Sequence, residues 1–216
     1  MALIGLPIRD ANDAVVQVAT SDLLGGAVVT NAFHIISGSA EVGDTNPLPV
    51  RSVSTKLVGT FARPANTSNG TSYAVGDVVS ASTDANTTLT LTNAARANGG
   101  SGYIVAATIE TDQKSVTPVF RVHLFSDDVA CAGDNLPHFE TFSGNANKIR
   151  SFVLGPMSTP TDTATSSVSS ASDSTLWHFF TCHASSRDLV VVLETLSAYT
   201  PESLAQYRLT LWIEQL

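Results

Sequence analysis

The densest group of side chains able to do chemistry in this 216-residue chain is Asp127, Asp128, Asp134, His138 and Glu140. Carboxylate oxygens gathered in one loop are the donor type that Ca²⁺ takes. Their spacing, however, matches neither an EF-hand nor a zinc pattern, so the group reads as a solvated turn, and neither metal nor cofactor is expected. A second group is His178, Cys182 and His183. On a strand, His178 and Cys182 share one face and His183 lies on the other. A Cys/His nucleophile also needs an orienting third group and an oxyanion pocket, and the sequence identifies neither. Gly99, Gly100, Ser101 and Gly102 lack the strand-turn-helix context of a nucleophile elbow or a phosphate loop, and read as a turn. No catalytic residue is expected, and the chain is not expected to be an enzyme.

The elements carrying these groups are strands. Phe120, Val122 and Leu124 alternate with Val119, Arg121 and His123, the period of a half-buried strand. Residues 149–154 and 176–183 are further candidates, and 189–193 is almost continuously apolar, as a strand covered on both faces would be. Residues 207–214 place Tyr207, Leu209, Leu211 and Ile213 inward, against Arg208, Thr210, Trp212 and Glu214. No window carries a helical stripe; residues 201–206 are long enough for a single turn. Short strands with turn signals between them predict an all-β, antiparallel β-sandwich, jelly-roll-like, over residues 56–216. Residues 156–175, rich in Ser and Thr, are expected to form a long exposed loop. Sequons at Asn66, Asn69 and Asn86 read as turns.

Composition limits the partners. The charged fraction is 14%, well below the ~25% of ordinary globular chains, so Ser, Thr, Ala, Gly and Asn must fill much of the surface. The formal charge is -8, and the only lysines are Lys56, Lys114 and Lys148. Phosphate backbones are bound through clustered Lys and Arg, so nucleic acid is not an expected partner. No stretch approaches the ~18 apolar residues of a membrane-spanning helix, so no membrane is expected. The opening MALIGLPIRD lacks a charged leader region and is broken by Pro7, which predicts synthesis and folding in a cytoplasm. Cys131 and Cys182 have no motif spacing and read as buried free thiols.

Residues 1–55 differ from the rest. Leu6-Pro7-Ile8-Arg9 is echoed by Leu48-Pro49-Val50-Arg51, and each proline forces its predecessor into extended backbone. Two readings stand side by side: a small β-meander, with short strands near 15–18 and 32–36, or an extended N-terminal arm lying on a partner. On the arm reading, the partner-binding residues are Leu3, Ile4, Leu6, Ile8, Arg9, Leu48, Val50 and Arg51.

The runs Phe61-Ala62-Arg63-Pro64-Ala65-Asn66, Tyr73-Ala74-Val75-Gly76-Asp77-Val78-Val79, Gly99 to Val105 and Phe120 to Asp128 together resemble a pattern in virion structural proteins of tailed bacteriophages, of the capsid decoration (cement) or head-fibre kind. The likeness covers about a third of the chain directly, and more loosely the strands up to the terminal YRLTLWIEQL. It is a packing pattern rather than a site motif. The resemblance implies a decoration protein that binds the outer capsid surface as a homotrimer, stabilises contacts between capsomers of the major capsid protein, and is assembled onto the virion in a host cytoplasm. The alternative it leaves open is a tail-fibre or adhesion module that recognises host-surface glycan. An exposed cluster of Trp and Tyr in a groove would favour the glycan reading, and Trp177 and Trp212 are both expected in strands.

Overall fold

The computed structural model describes residues 8–9, 15–16, 36–37, 40–41, 53–65, 72–114, 116–159 and 168–216. The chain divides into two compact units, Met1–Arg51 and Ser52–Leu216. In the first unit the described residues form two antiparallel ladders. Strand β1 (Ile8–Arg9) pairs with β2 (Val15–Val16), and β3 (Ile36–Ser37) pairs with β4 (Ala40–Glu41). Of the expected partner-binding residues, Ile8 and Arg9 lie in β1; Leu3, Ile4, Leu6, Leu48, Val50 and Arg51 fall outside the described residues.

The second unit is an antiparallel β-sandwich. One sheet runs β11 (Ser169–Asp173), β8 (Ser101–Thr111), β14 (Gln206–Gln215), β5 (Val53–Ala62), with β12 (His178–Thr181) also on β8. The other runs β10 (Lys148–Leu154), β9 (Phe120–Phe125), β13 (Leu189–Thr195), β6 (Val78–Val79), with β7 (Leu89–Leu91) also on β13. Residues 53–55, assigned by sequence to the N-terminal segment, belong to β5 and pair with the end of β14.

One hydrophobic core joins the two sheets. Tyr207, Leu209, Leu211 and Ile213 of β14 meet Phe120, Val122 and Leu124 of β9 and Leu189, Val191 and Leu193 of β13. Both alternations follow from the strand period of two. In β8 the period slips: Trp212 pairs with Ala106 but Ile213 with Ile104, leaving Val105 as the extra residue of a bulge. That slip turns both Ile104 and Ala107, three apart in sequence, into the core.

β13 is buried along its whole length, as its continuous apolar run requires. Its inner face looks into the sandwich. Val190 and Val192, on the outer face, pack with Phe125, Val78, Val129, Cys131 and Ala132 in a second cluster. The cover is residues 126–147, a strap linking β9 to β10 whose only described helix is the 3-10 turn Gly144–Asn147. The strap is tied back by Asn135 N donating to Val78 O at 2.9 Å and His138 N donating to Gly76 O at 2.7 Å.

Two expectations are corrected. The Ser/Thr-rich stretch 156–175 is not loop throughout, because Ser169–Asp173 pairs with Thr111–Ala107 as the edge strand β11. Side chains as small as Ser169 and Ala171 fit against the sandwich rim, so the strand carries no hydrophobic run to betray it. The strand expected at 176–183 is shortened to His178–Thr181, with Trp177 before it at φ 42°. Cys131 and Cys182 are buried and unbonded to each other, and Asn86 sits in a turn at φ 64°.

Candidate functional site

The strap brings together side chains that the sequence holds far apart. His123 points outward from β9, yet it is only 3% exposed because the strap lies over it. Its ring stacks on that of His138, centroids 4.2 Å apart. Its Nε2 lies 2.8 Å from Glu194 Oε2 on β13, and the same oxygen accepts from Arg121 Nη1 at 3.0 Å. Its Nδ1 lies 2.9 Å from Ser151 Oγ of β10 and 3.2 Å from Glu140 Oε1. Glu140 Oε1 also faces His138 Nε2 at 3.5 Å and accepts a hydrogen bond from the Lys148 ammonium.

Electrostatics follow from this packing. Burial pushes the His123 imidazole below its ordinary range, against the support that the Glu194 hydrogen bond gives its charged form. Burial by itself would raise the Glu140 carboxyl. The Lys148 hydrogen bond and charge, aided by His138 and His123, outweigh that and pull it down to about 2.

The acidic group expected to be one solvated turn is therefore four things. Asp127 faces His183 Nε2 at 3.6 Å on the surface, Asp128 is exposed, and Asp134 is buried. Asp134 accepts from Tyr73 OH at 2.6 Å and Ser80 N at 3.0 Å, and pairs with Arg63 Nη2 at 3.3 Å. Only His138 and Glu140 meet, and their third member is His123. Sequence reasoning missed His123 and Glu194, although one signal was present: a lone carboxylate directly after the apolar run, within the same strand, must find a partner if it is buried.

The Cys182 thiol is buried and pushed up to about 11, by burial first and then by Asp188. His183 Nδ1 is hydrogen-bonded to Ser185 Oγ instead, at 2.8 Å. His178 packs against the Phe152 ring at 5.9 Å. Gly99, at φ 70°, makes the turn into β8, its N–H facing His183 O and Ser186 O.

The opposite outer face, on the sheet of β8 and β14, has a different chemistry. Trp177 is 62% and Phe179 52% exposed. Both lean on Tyr103 of β8, with centroids 6.4 and 5.4 Å away. On the same sheet Trp212 borders a shallow depression of about 450 Å³ with Val105, Ser54 and Ser172. Lys56 sits over the Trp212 ring at 5.7 Å. Trp177, expected in a strand, instead precedes β12 in the left-handed region and holds its ring outward. No protein-family model matches this chain, and no curated protein is significantly similar to it.

Proposed function

We propose that this chain is a non-enzymatic structural component of a tailed-phage virion, a decoration protein that docks on the outer capsid surface. The observation that carries the proposal is the exposed aromatic cluster of Trp177 and Phe179 packed on Tyr103. Large aromatic side chains are the usual energetic anchors of protein interfaces, and burying each contributes far more than an equal area of polar surface. The weakly charged composition suits a surface that is tiled against neighbours, and the jelly-roll-like sandwich is common among capsid proteins. The major capsid protein is the proposed partner and a homotrimer the proposed assembly, with Leu3, Ile4, Leu6, Ile8, Arg9, Leu48, Val50 and Arg51 as further contacts.

A tail-fibre module binding host glycan is the second reading, and one observation favours it. Trp177 and Tyr103 together offer ring faces on which a sugar can stack. One experiment separates the two. The full chain is added to capsids stripped of decoration, and bound copies are counted against the major capsid protein. Hundreds of copies, reduced at least tenfold by Trp177→Ala, are expected. Absence of binding to capsids, with Trp177-dependent retention on immobilised host polysaccharide, would transfer the assignment to the fibre reading.

A further inference from the structure

We propose that His123 Nδ1, His138 Nε2 and Glu140 form a site for a borderline divalent cation of the zinc class, which pins the strap to the outer face of β9. Two imidazoles and one carboxylate are a donor set that such ions take, leaving a fourth position for water. The donors are already gathered. All three lie within 4.8 Å of one another, and the two distances to Glu140 Oε1 are 3.2 and 3.5 Å. Tetrahedral zinc at ~2.0–2.1 Å from each donor requires donors about 3.3 Å apart.

The hydrogen-bond inventory points the same way. A neutral imidazole has one N–H, yet both nitrogens of His123 face carboxylate oxygens, Glu194 at 2.8 Å and Glu140 at 3.2 Å. Glu194, held by Arg121, accepts a hydrogen bond from the Nε2–H. The Nδ1 lone pair is then left opposite an anionic oxygen, with only the Ser151 hydroxyl to engage it. A cation between Nδ1 and Glu140 resolves that opposition, and the Glu194–His123 bond becomes the outer carboxylate that orients a metal-bound histidine. His138 is the weaker ligand. Its Nδ1 is buried without a hydrogen-bond partner, so its ring is fixed by stacking on His123 rather than by an outer acceptor.

Lys148 is the native competitor. Its ammonium sits on Glu140, and its side chain is 25% exposed at the start of β10, so it can swing to solvent when a divalent ion takes the carboxylate. This competition gives the site a signature that adventitious histidine binding lacks: removing Lys148 should tighten it.

The test uses the full chain, freed of divalent ions by chelator and dialysis, titrated with zinc chloride in a calorimeter and in thermal melts. One ion per chain is expected to saturate this site. The Tm should rise by about 5–10 °C when free zinc reaches 100 times its Kd. His138→Gln should weaken binding at least tenfold, Lys148→Ala should strengthen it severalfold, and His183→Ala, on the surface, should change nothing. Mg²⁺ at the same concentration should leave the melt in place. An unshifted wild-type melt, a Lys148→Ala chain that binds no tighter, or an equal response to Mg²⁺ would each overturn the proposal. Should His138→Gln fail to fold, the Lys148 comparison decides alone.

Discussion

Asp134→Asn removes one charge from the best-buried ion pair in the sandwich while keeping the side chain's shape. The Arg63 and Asp134 side chains are each 2% exposed, so the pair is shielded from water and salt. Arg63 depends on it. Its Nε and Nη1 have no hydrogen-bond partner, leaving the Asp134 contact at 3.3 Å and the face of the Tyr73 ring at 5.0 Å to balance the guanidinium. Breaking a buried pair by removing one partner leaves an uncompensated charge and costs about 3–5 kcal/mol. Tyr73 OH and Ser80 N both donate to Oδ1, so an asparagine that keeps its oxygen there turns its amide NH2, another donor, towards Arg63 Nη2. At ~2–4 °C per kcal/mol for a unit of this size, the Tm should fall by about 6–20 °C. Urea unfolding followed by Trp fluorescence, with an unchanged m value, is the assay. The double variant Arg63→Met/Asp134→Asn supplies the internal control, because without the arginine no buried charge is stranded. It should be more stable than Asp134→Asn alone. A cost below about 1 kcal/mol for Asp134→Asn, or a double variant as unstable as the sum of the singles, would refute this account.

Two further outcomes follow from the same packing. Burial raises the ionisation of Tyr73, Tyr199 and Tyr207 above the ordinary phenol value, reinforced at Tyr73 by Asp134 and at Tyr199 by Tyr207, whereas at Tyr207 the Tyr199 hydrogen bond and Arg63 pull back and leave it at about 12. The neutral forms are the ones the fold holds, so this stability is intact below pH 10 and is lost as pH climbs from 10 towards 12. For Tyr207 the loss is on the order of 2–3 kcal/mol. Tyrosinate absorbance should rise together with loss of near-ultraviolet dichroism, and ionisation of these rings near pH 10 with the fold intact would contradict it. Gly102→Ala in β8 should destabilise by ~1–3 kcal/mol, since the new methyl would sit 2.5 Å from Glu214 O and 2.8 Å from the Phe180 ring. An unchanged urea midpoint would show that the sheet yields there at no cost.

The sandwich was legible where side chains alternate. β9 and β14 announce themselves because each carries large apolar residues at the strand period, and β13 because its apolar run is continuous and buried on both faces. β11 was not legible, since Ser169 to Asp173 owes its pairing to the exposed edge of β8 rather than to any hydrophobicity of its own. The bulge at Val105 and the strap had no local signal either. An open-faced strand would have left Arg121 and His123 in solvent. His123 is buried because residues some 15 positions later fold back over it, and periodicity within one strand carries no information about that return.

The two outer faces of the sandwich thus end differently, and the difference bears on function. Over β9 and β13 the strap buries Val190 and Val192 and Arg121 pairs with Glu194 and Lys148 with Glu140, while the strap's own Leu136, Phe139 and Phe142 are exposed. Over β8 and β12 the described residues leave Trp177 and Phe179 in solvent, with Trp177 in a backbone region that costs a non-glycine residue about 1–2 kcal/mol. Packing within the sandwich does not account for that cost, because the ring it holds is 62% exposed. On the proposed reading, this outward ring is what a docking partner meets. Capsid and glycan make different demands on it. A sugar needs the open face of the indole, so Trp177→Phe would keep a weaker stacking surface. A protein interface needs a filled pocket, in which the smaller ring leaves a void and is penalised for the missing volume. The ratio of binding lost by Trp177→Phe to that lost by Trp177→Ala should therefore be small for a glycan and close to one for a capsid, and a small ratio measured on capsids would remove Trp177 from the proposed interface core.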